Sequence, residues 1–253
     1  MIKITSLVSP RIKNIVQLRK SRQRGVEGFT IVEGVREVER AFEAGVRMES
    51  VYFCGDRPSF LNNVSIYETT KDIFSKISYG KKENGVLAVC QPKQYDLKDF
   101  KNTKNDFFVV VEGVEKPGNL GAILRTCDGV GVTGVIVCDQ KTDVYNPNVI
   151  RASLGTIFSV KTVVVSVQEV IGFLKVNTVK ICAAFPEAKM VYTKADLTGA
   201  LAVVVGSEDQ GLSTVWSEEA DMSVRIPMKG KADSLNVSVS TGVLLYEAFR
   251  QRG

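Results

Sequence analysis

Short apolar runs alternate with stretches of helical periodicity from residue 107 to the end of the chain. The strands are predicted at 107–112, 134–138, 162–166, 179–184, 201–205 and 223–227. The helices are predicted at 119–129, 147–156, 167–175, 212–220 and about 235–251. An α/β alternation of this kind is typical of a parallel sheet covered by helices. Because such sheets bind ligands beyond the carboxyl ends of their strands, we expect a site in the loops after residues 112, 205 and 227.

The first 92 residues show a shorter alternation of the same kind. Strand-like runs occur at 28–33, 51–54, 64–67 and 85–90, with helical spacing of apolar residues in two of the intervening stretches. The stretch that follows is polar and has little periodicity. We therefore predict a smaller α/β domain at 1–92, a linker at 93–106 and a larger domain at 107–253.

The composition is that of a globular protein, with 44% hydrophobic and 24% charged residues. No apolar run approaches the ~20 residues that a membrane-spanning helix needs, and the N-terminus lacks the features of a signal peptide. We expect a cytoplasmic protein with no membrane partner. The net charge of +5 permits a nucleic-acid partner without requiring one.

Cysteine and histidine usage excludes several kinds of chemistry. None of the five cysteines forms a CxxC pair, and they fall in apolar or small-residue stretches, so we expect neither disulfides nor a metal site. The chain contains no histidine, which excludes the Ser-His-Asp triad and removes the usual general base. Acid–base chemistry must therefore come from Asp, Glu, Lys, Tyr, Arg or the substrate.

The first 24 residues contain seven lysines or arginines and no acidic residue. Such a bias favours contact with RNA phosphates, and Lys13, Arg19, Arg22 and Arg24 are the predicted RNA-binding residues. The alternative is a solvated helix face of little consequence. A different pattern, GxGxxG at residues 129–134, follows a helix and precedes a strand, which is the reverse of a dinucleotide-binding context.

Three loops of the larger domain carry polar residues beside strand ends. Residues 107–128 combine a buried strand, the breaker Lys116-Pro117-Gly118-Asn119 and a helix start. In the second loop, Gly206 would allow a ligand close to the backbone, whereas Glu208 could bind a ligand or cap a helix. In the third, residues 226–236 could line an apolar slot, although N-capping explains part of the pattern.

The sequences PGNLGAILRT, VVVGSEDQGLS and IPMKGKADSLNVSVSTGVLLYEAFRQR resemble the three ordered motifs of the SpoU, or TrmH-like, RNA 2′-O-ribose methyltransferases of the SPOUT superfamily. The resemblance covers about residues 107–253. The N-terminal stretches ITSLVSPRIKNIVQLRKSR, FTIVEG and ISYGKKENGVLAV resemble the ribosomal-protein-like α/β substrate-binding domain of longer members.

This resemblance implies transfer of a methyl group from S-adenosylmethionine to a ribose 2′-hydroxyl of structured RNA, with rRNA preferred over tRNA as the expected substrate. It also implies a deep trefoil knot in the parallel-sheet domain, a homodimer and no metal. The implied catalytic residues are Asn119, Arg125, Glu208, Ser234 and Asn236. The implied cofactor-binding residues are Gly206, Ile226, Met228 and Leu235. Lys116 and Cys127 depart from the residues we expect at those positions of the family pattern.

We expect Arg125 to grip the phosphate and ribose beside the target oxygen, since a guanidinium normally stays protonated and is a poor base. The alternatives are a non-catalytic RNA-binding protein of the same fold and a nucleotide-dependent oxidoreductase. In the final helix, Val237, Leu244, Leu245 and Ala248 recur at helical spacing and are expected to face a second subunit or the chain's own core.

Overall fold

A computed structural model describes residues 2–61, 64–80, 82–83, 85–101 and 103–253. Lys81 and Asn84 of the N-terminal resemblance, and Asn102 of the predicted linker, lie outside the described residues. The chain forms two compact units. The first comprises Met1–Lys93 and Asp143–Ser159, and the second comprises Gln94–Thr142 and Val160–Gly253. Strands and helices are numbered along the chain.

The first unit contains a five-stranded sheet in the order β1-β4-β3-β5-β2. Its strands are β1 (Ile2–Ile4), β2 (Thr30–Glu33), β3 (Arg47–Cys54), β4 (Ile66–Thr69) and β5 (Gly85–Gln91). Its helices are α1 (Pro10–Gln17), α2 (Ser21–Glu27), α3 (Val35–Glu43), α4 (Lys71–Ile77) and α6 (Pro147–Ala152). The core is built largely from apolar residues of α1, α4 and the sheet, and it includes the stacked rings of Tyr52 and Tyr67, whose centroids are 5.3 Å apart.

The segment 143–159 belongs to the first unit by its contacts, although it follows strands of the second unit in sequence. The Thr30 hydroxyl donates to the carbonyl of Tyr145 at 2.7 Å, and Arg40 donates to the carbonyl of Leu154 at 2.7 Å. The predicted helix at 147–156 ends at Ala152, and a 3₁₀ turn follows at Thr156–Phe158. This grouping differs from a division at one linker, and the boundaries at 1–92, 93–106 and 107–253 stay predictions.

Part of the predicted linker is folded. A 3₁₀ turn at Leu97–Asp99 is closed by a capping box between Asp96 and Asp99. The next residue, Phe100, is buried against Phe108 and Phe173, with centroid distances of 5.1 and 6.0 Å. A Cβ atom at Gly134 would collide with the Phe100 ring. The stretch therefore contributes to the core of the second unit.

The second unit contains a seven-stranded sheet in the order β10-β12-β9-β11-β6-β7-β8, and all its neighbouring strands are parallel. Its strands are β6 (Phe107–Glu112), β7 (Gly134–Cys138), β8 (Thr162–Val164), β9 (Lys180–Ala184), β10 (Met190–Val191), β11 (Leu201–Val205) and β12 (Met222–Arg225). Its helices are α5 (Pro117–Val130), α7 (Val167–Val176), α8 (Val215–Glu219) and α9 (Val237–Arg252). The predicted parallel α/β fold is confirmed, whereas the trefoil knot stays a prediction.

The predicted bounds of β6, β7 and β11 agree with the structure, because each strand is a continuous apolar run buried on both faces. Helix α5 begins two residues earlier than predicted, since Pro117 occupies its first turn, where a missing N–H costs nothing. Strand β10 was not predicted because it has only two residues.

All five cysteines are free. Burial raises the pKa of Cys90, Cys138 and Cys182 to about 12, and it also raises the pKa of Cys127. Within the described part of the chain, no group of three or more Asp, Glu, His or Cys side chains could hold a metal ion. No helix in those residues is both long and apolar enough to cross a bilayer.

Candidate functional site

A cavity of about 360 Å³ lies in the second unit at the carboxyl ends of β9, β11 and β12. Its walls are the loops 184–187, 205–212 and 224–228, together with residues 233–235 and the first turn of α9. Since β9 pairs with both β11 and β12, the three loops leave the same edge of the sheet side by side. Two of them are loops in which the sequence predicted a site.

The structure brings all four predicted cofactor-binding residues to this cavity: Gly206, Ile226, Met228 and Leu235. Two predicted catalytic residues, Glu208 and Ser234, also line it. Asn119, Arg125 and Asn236 do not line the cavity, although Asn119 and Asn236 reach Glu208 through the network described below.

Gly206 lies against the backbone of its own loop, so no open space remains beside its Cα atom. A Cβ atom there would collide with backbone atoms of Gly211 and Leu212. The intervening residues form a tight turn, in which the N–H groups of Ser207 and Gly211 each donate to the other residue's carbonyl at 3.2 and 3.1 Å. The space that a side chain would take at Gly206 is therefore filled by the backbone of the same loop, whereas the approach of a ligand to the Gly206 backbone stays a prediction.

Glu112, at the end of β6, was not predicted as a site residue. Its side chain is buried and accepts two hydrogen bonds of 2.8 Å, from the N–H and the hydroxyl of Ser213. It thereby fixes the end of the loop that follows β11. The sequence signal was a single carboxylate after five buried apolar residues.

Lys116, Glu208, Asn119 and Asn236 form a polar network across the mouth of the site. The Lys116 ammonium forms an ion pair with Glu208, and the Asn236 amide donates both to Glu208 and to Asn119 Oδ1, at 3.2 Å from the latter. The Asn236 Oδ1 atom accepts the N–H of Ser238 at 3.0 Å and so caps α9. The network joins the loop after β6, the loop after β11 and the start of the final helix.

The network keeps Glu208 ionised. The hydrogen bond from Lys116 is the largest cause that lowers the pKa of Glu208, and hydrogen bonds from Asn119 and Asn236 lower it further against an opposing effect of desolvation. The same bond raises the pKa of Lys116. In the sequence, Lys116 was noted as part of a breaker cluster and as a departure from the family pattern, and its partner is 92 residues away.

Arg125 and Ser234 are both exposed. Arg125 lies on α5, six residues after Asn119, and its guanidinium has no hydrogen-bond or ion-pair partner among the described residues. Ser234 stands at the rim of the cavity beside Asp233.

The four predicted RNA-binding residues divide into two pairs. Lys13 and Arg22 are exposed. Arg19 donates to the carbonyls of Lys76 and Ser78 at 2.6 and 2.7 Å, so it joins the segment after α1 to the end of α4.

Arg24 is buried and belongs to the interior of the first unit. It forms an ion pair with Asp143 and donates to the carbonyls of Leu18 and Arg19 at 3.0 and 2.8 Å. Because the Arg24 guanidinium is buried and its donors are bonded within the first unit, it cannot contact an RNA phosphate. The assignment of Arg24 as an RNA-binding residue is therefore wrong.

The final helix also uses its apolar residues differently from the first expectation. Val237, Leu244, Leu245 and Ala248 are all buried inside the chain. They therefore form its own core, as the alternative interpretation held. The exposed apolar side chains of α9 are Val239, Tyr246 and Phe249.

Two solved structures that resemble this chain are of RNA methyltransferases. A crystal structure of an RNA 2′-O ribose methyltransferase has a TM-score of 0.87 and 37% identity, over 99% of each chain. An AdoMet-bound rRNA methyltransferase from Sinorhizobium meliloti has a TM-score of 0.91 and 26% identity, over 98% of this chain and 97% of that one.

The sequence comparisons agree with the structural ones. Residues 106–246 match the SpoU rRNA methylase family, and residues 9–88 match the MRM3-like substrate-binding domain. The 23S rRNA (guanosine(2553)-2′-O)-methyltransferase RlmP of Bacillus subtilis is 26% identical over 97% of this chain and 98% of its own. The 23S rRNA (guanosine-2′-O-)-methyltransferase RlmB of Pectobacterium atrosepticum is 35% identical over 72% and 71% of the two chains. This chain belongs to the SpoU rRNA methylase family.

Proposed function

We propose that this protein transfers the methyl group of S-adenosylmethionine to a ribose 2′-hydroxyl of rRNA. The observation that carries the proposal is the cavity at the strand ends, which collects the four residues implied for the cofactor and is bridged at its mouth by the Lys116–Glu208 network. The relatives named above methylate 23S rRNA at 2′-oxygens, according to their names. The sequence predicted the same reaction.

The cavity fits the cofactor by size and by chemistry. Its volume lies within the range of about 300–1,000 Å³ found for small-molecule sites. Ile226, Met228 and Leu235 offer apolar surface, and the backbone of residues 205–212 offers polar groups. The lining contains four carboxylate side chains, of Glu187, Glu208, Asp209 and Asp233, and one cation, Arg225. This charge balance suits a ligand with a sulfonium and an ammonium group.

S-adenosylmethionine, when bound, supplies an electrophilic methyl group, so the protein needs no metal to activate it. The residues of this chain must hold the attacking 2′-oxygen in line and help to remove its proton. We assign the grip on the neighbouring phosphate to Arg125, whose planar fork matches phosphate oxygens. Glu208, Asn119 and Asn236 fix the start of α5 relative to the cavity, and Ser234 contributes a neutral hydrogen bond at the rim.

Incubation of the purified protein with labelled S-adenosylmethionine and rRNA tests the proposed function. We expect label in a 2′-O-methylated nucleoside, identified by mass spectrometry after digestion. Cofactor binding without any label in rRNA or tRNA would favour the alternative of a non-catalytic RNA-binding protein. Label in tRNA alone would keep the reaction and replace the substrate.

We expect Lys116→Met to move the acid limb of the activity–pH profile to higher pH. Without Lys116 the pKa of Glu208 rises towards its ordinary value, so the carboxylate that accepts from Asn236 is lost at a higher pH. Because the ordinary pKa of Glu208 is 4.5 and the pair is partly exposed, we expect a modest loss of activity of roughly twofold near pH 4.5 and little change above pH 6.

Lys180→Met is the matched control. Lys180 forms an exposed ion pair with Asp196 at 2.8 Å, at the start of β9 and so at the opposite end of the strands from the cavity. Rates measured from pH 4 to 8 should coincide for this control and the wild type. An equal loss for Lys116→Met at every pH would contradict a role through the ionisation of Glu208.

We propose a homodimer, with the exposed face of α9 as the contact. Val239, Tyr246 and Phe249 are 50%, 55% and 48% exposed, and their spacing places them along one side of the helix. The Tyr246 and Phe249 rings are 6.2 Å apart and form a continuous apolar surface. This surface replaces the buried residues that the sequence first suggested.

Light scattering at low micromolar concentration should give about twice the chain mass of 27.7 kDa. Tyr246→Asp should shift the distribution towards the monomer, because an exposed carboxylate would be buried at the contact. Val176→Asp is the control, since Val176 is 84% exposed at the end of α7. An active wild-type protein that is monomeric at every concentration would contradict the proposed homodimer.

A further inference from the structure

Tyr79 is an exposed aromatic residue in the segment between α4 and β5, and neither its exposure nor its surroundings were evident from the sequence. Its side chain is 36% exposed. It stands beside Gly80 and close to two cationic side chains, Lys82 and Arg151, both of which are exposed. We call Tyr79, Lys82, Asn148 and Arg151 the Tyr79 surface.

Hydrogen bonds to Glu33 and Arg19 hold the backbone that carries Tyr79. Glu33, at the end of β2, has a side chain only 10% exposed, and it accepts the N–H of Tyr79 at 2.6 Å and the hydroxyl of Ser78 at 2.9 Å. The Ser78 hydroxyl in turn accepts the N–H of Lys82 at 3.0 Å. Arg19 donates to the Ser78 carbonyl from the other side. Tyr79 is therefore presented by a fixed segment.

Helix α6 provides one flank of the surface. Asn148 donates to the Tyr79 hydroxyl at 3.4 Å, and Arg151 donates to Asn148 Oδ1 at 3.3 Å. A Cβ atom at Gly80 would lie 3.8 Å from Arg151 Nη1, which shows that the guanidinium extends along Gly80.

We propose that the Tyr79 surface binds unpaired bases of the RNA substrate, with a base stacked on Tyr79 and adjacent phosphates on Lys82 and Arg151. The inference rests on the proposed function only in taking RNA as the partner. An aromatic ring held at the surface stacks on any base, and flanking cations attract the backbone. The carboxylate of Glu33 accepts hydrogen bonds from Ser78 and Tyr79 and pairs with Lys82 at 3.9 Å, whereas Arg151 has no carboxylate partner among the described residues.

Stacking on the Tyr79 ring favours single-stranded RNA over duplex RNA. Paired bases already stack on their neighbours and cannot reach an aromatic side chain without being displaced. Lysine and arginine alone would bind both forms through phosphates. A preference that depends on the Tyr79 ring is therefore the signature of this surface.

Fluorescence anisotropy with the full-length protein tests the inference, using a labelled unstructured RNA and a duplex of the same length. We expect Tyr79→Ala to weaken single-strand binding by roughly tenfold, the size of one base–aromatic stack. Duplex affinity should change little, and Tyr79→Phe should bind the single strand nearly as the wild type does. Lys82→Met and Arg151→Met should each lower the salt slope by about 0.7 for the single strand.

Lys71→Met is the matched control, because Lys71 is an exposed lysine at the other end of α4. Circular dichroism of each variant establishes that it is folded. Unchanged single-strand affinity in folded Tyr79→Ala, or an equal loss for single strand and duplex, would overturn the inference. If the wild type methylates rRNA while either result is found, the Tyr79 surface fails and the proposed function stands. If the wild type binds RNA through Tyr79 but never methylates it, the proposed function fails alone.

Discussion

Arg125→Ala should abolish methyl transfer, with a loss on the order of 100-fold or more, while cofactor affinity stays near the wild-type value. The two effects separate because Arg125 is exposed on α5 and does not line the cavity. Its guanidinium has no partner within the described residues, so the substitution breaks no contact that holds the fold. Single-turnover methylation measures the rate, and calorimetry measures the affinity for S-adenosylmethionine.

Arg125→Lys should fail nearly as badly, since an ammonium cannot copy the planar fork that grips phosphate oxygens. A lysine variant that keeps most of the activity would reduce Arg125 to a counter-charge. A parallel loss of cofactor affinity in Arg125→Ala would instead place this residue in the cofactor site.

Gly206→Ala should lower the affinity for S-adenosylmethionine by at least about tenfold, because a single methyl group must displace the backbone of the loop that walls the cavity. The added Cβ atom would collide with backbone atoms of Gly211 and Leu212, and a backbone cannot turn aside as a flexible side chain can. Calorimetry of the purified variant gives the affinity.

Gly230→Ala is the matched control on the neighbouring loop. A Cβ atom at Gly230 has no heavy atom within 4 Å, so the same chemical change should leave the affinity unchanged. Trp216 is the single tryptophan, and it is fully buried on α8, so its fluorescence reports whether each variant is folded. Wild-type affinity in folded Gly206→Ala would mean that the cofactor binds elsewhere.

The sequence predicted the parallel sheet, and it predicted residues of the candidate site that the structure brings together. Continuous apolar strands mark a sheet buried on both faces, and the loops after such strands meet at one edge. Gly206, Ile226, Met228 and Leu235 follow from that topology and from the family resemblance. The physical reason for Gly206 did not follow, because the position of the Gly211 backbone depends on the turn between them.

Pairings between distant residues could not be predicted. The partner of Lys116 is 92 positions away, and the partner of Arg24 is 119 positions away. A run of basic residues has the same appearance whether its members face solvent or, like Arg24, are buried in an ion pair. Helical spacing likewise identified apolar positions in α9. It did not show which of its faces packs against the core of its own chain.

The segment 143–159 and Phe100 show the same limit for domain boundaries. Composition changes at residue 91, and this marks where polar residues begin but not which core a chain segment joins. Phe100 lies within a polar stretch and is nevertheless buried against Phe108. A fragment that begins after it would lose part of the core of the second unit.

Asn236 and the helix that follows it are synthesised after the other residues of the candidate site. The same amide caps α9 and reaches Glu208 and Asn119, and Val237 and Ser240 of that helix line the cavity. A nascent chain therefore has all residues of the first unit, including 143–159, well before the wall of the cavity exists. A chain that stops before residue 236 contains the residues of the Tyr79 surface but lacks part of the candidate site. The cavity wall is therefore complete only after residues 236–240 have been synthesised and have folded against the loops that follow β6 and β11.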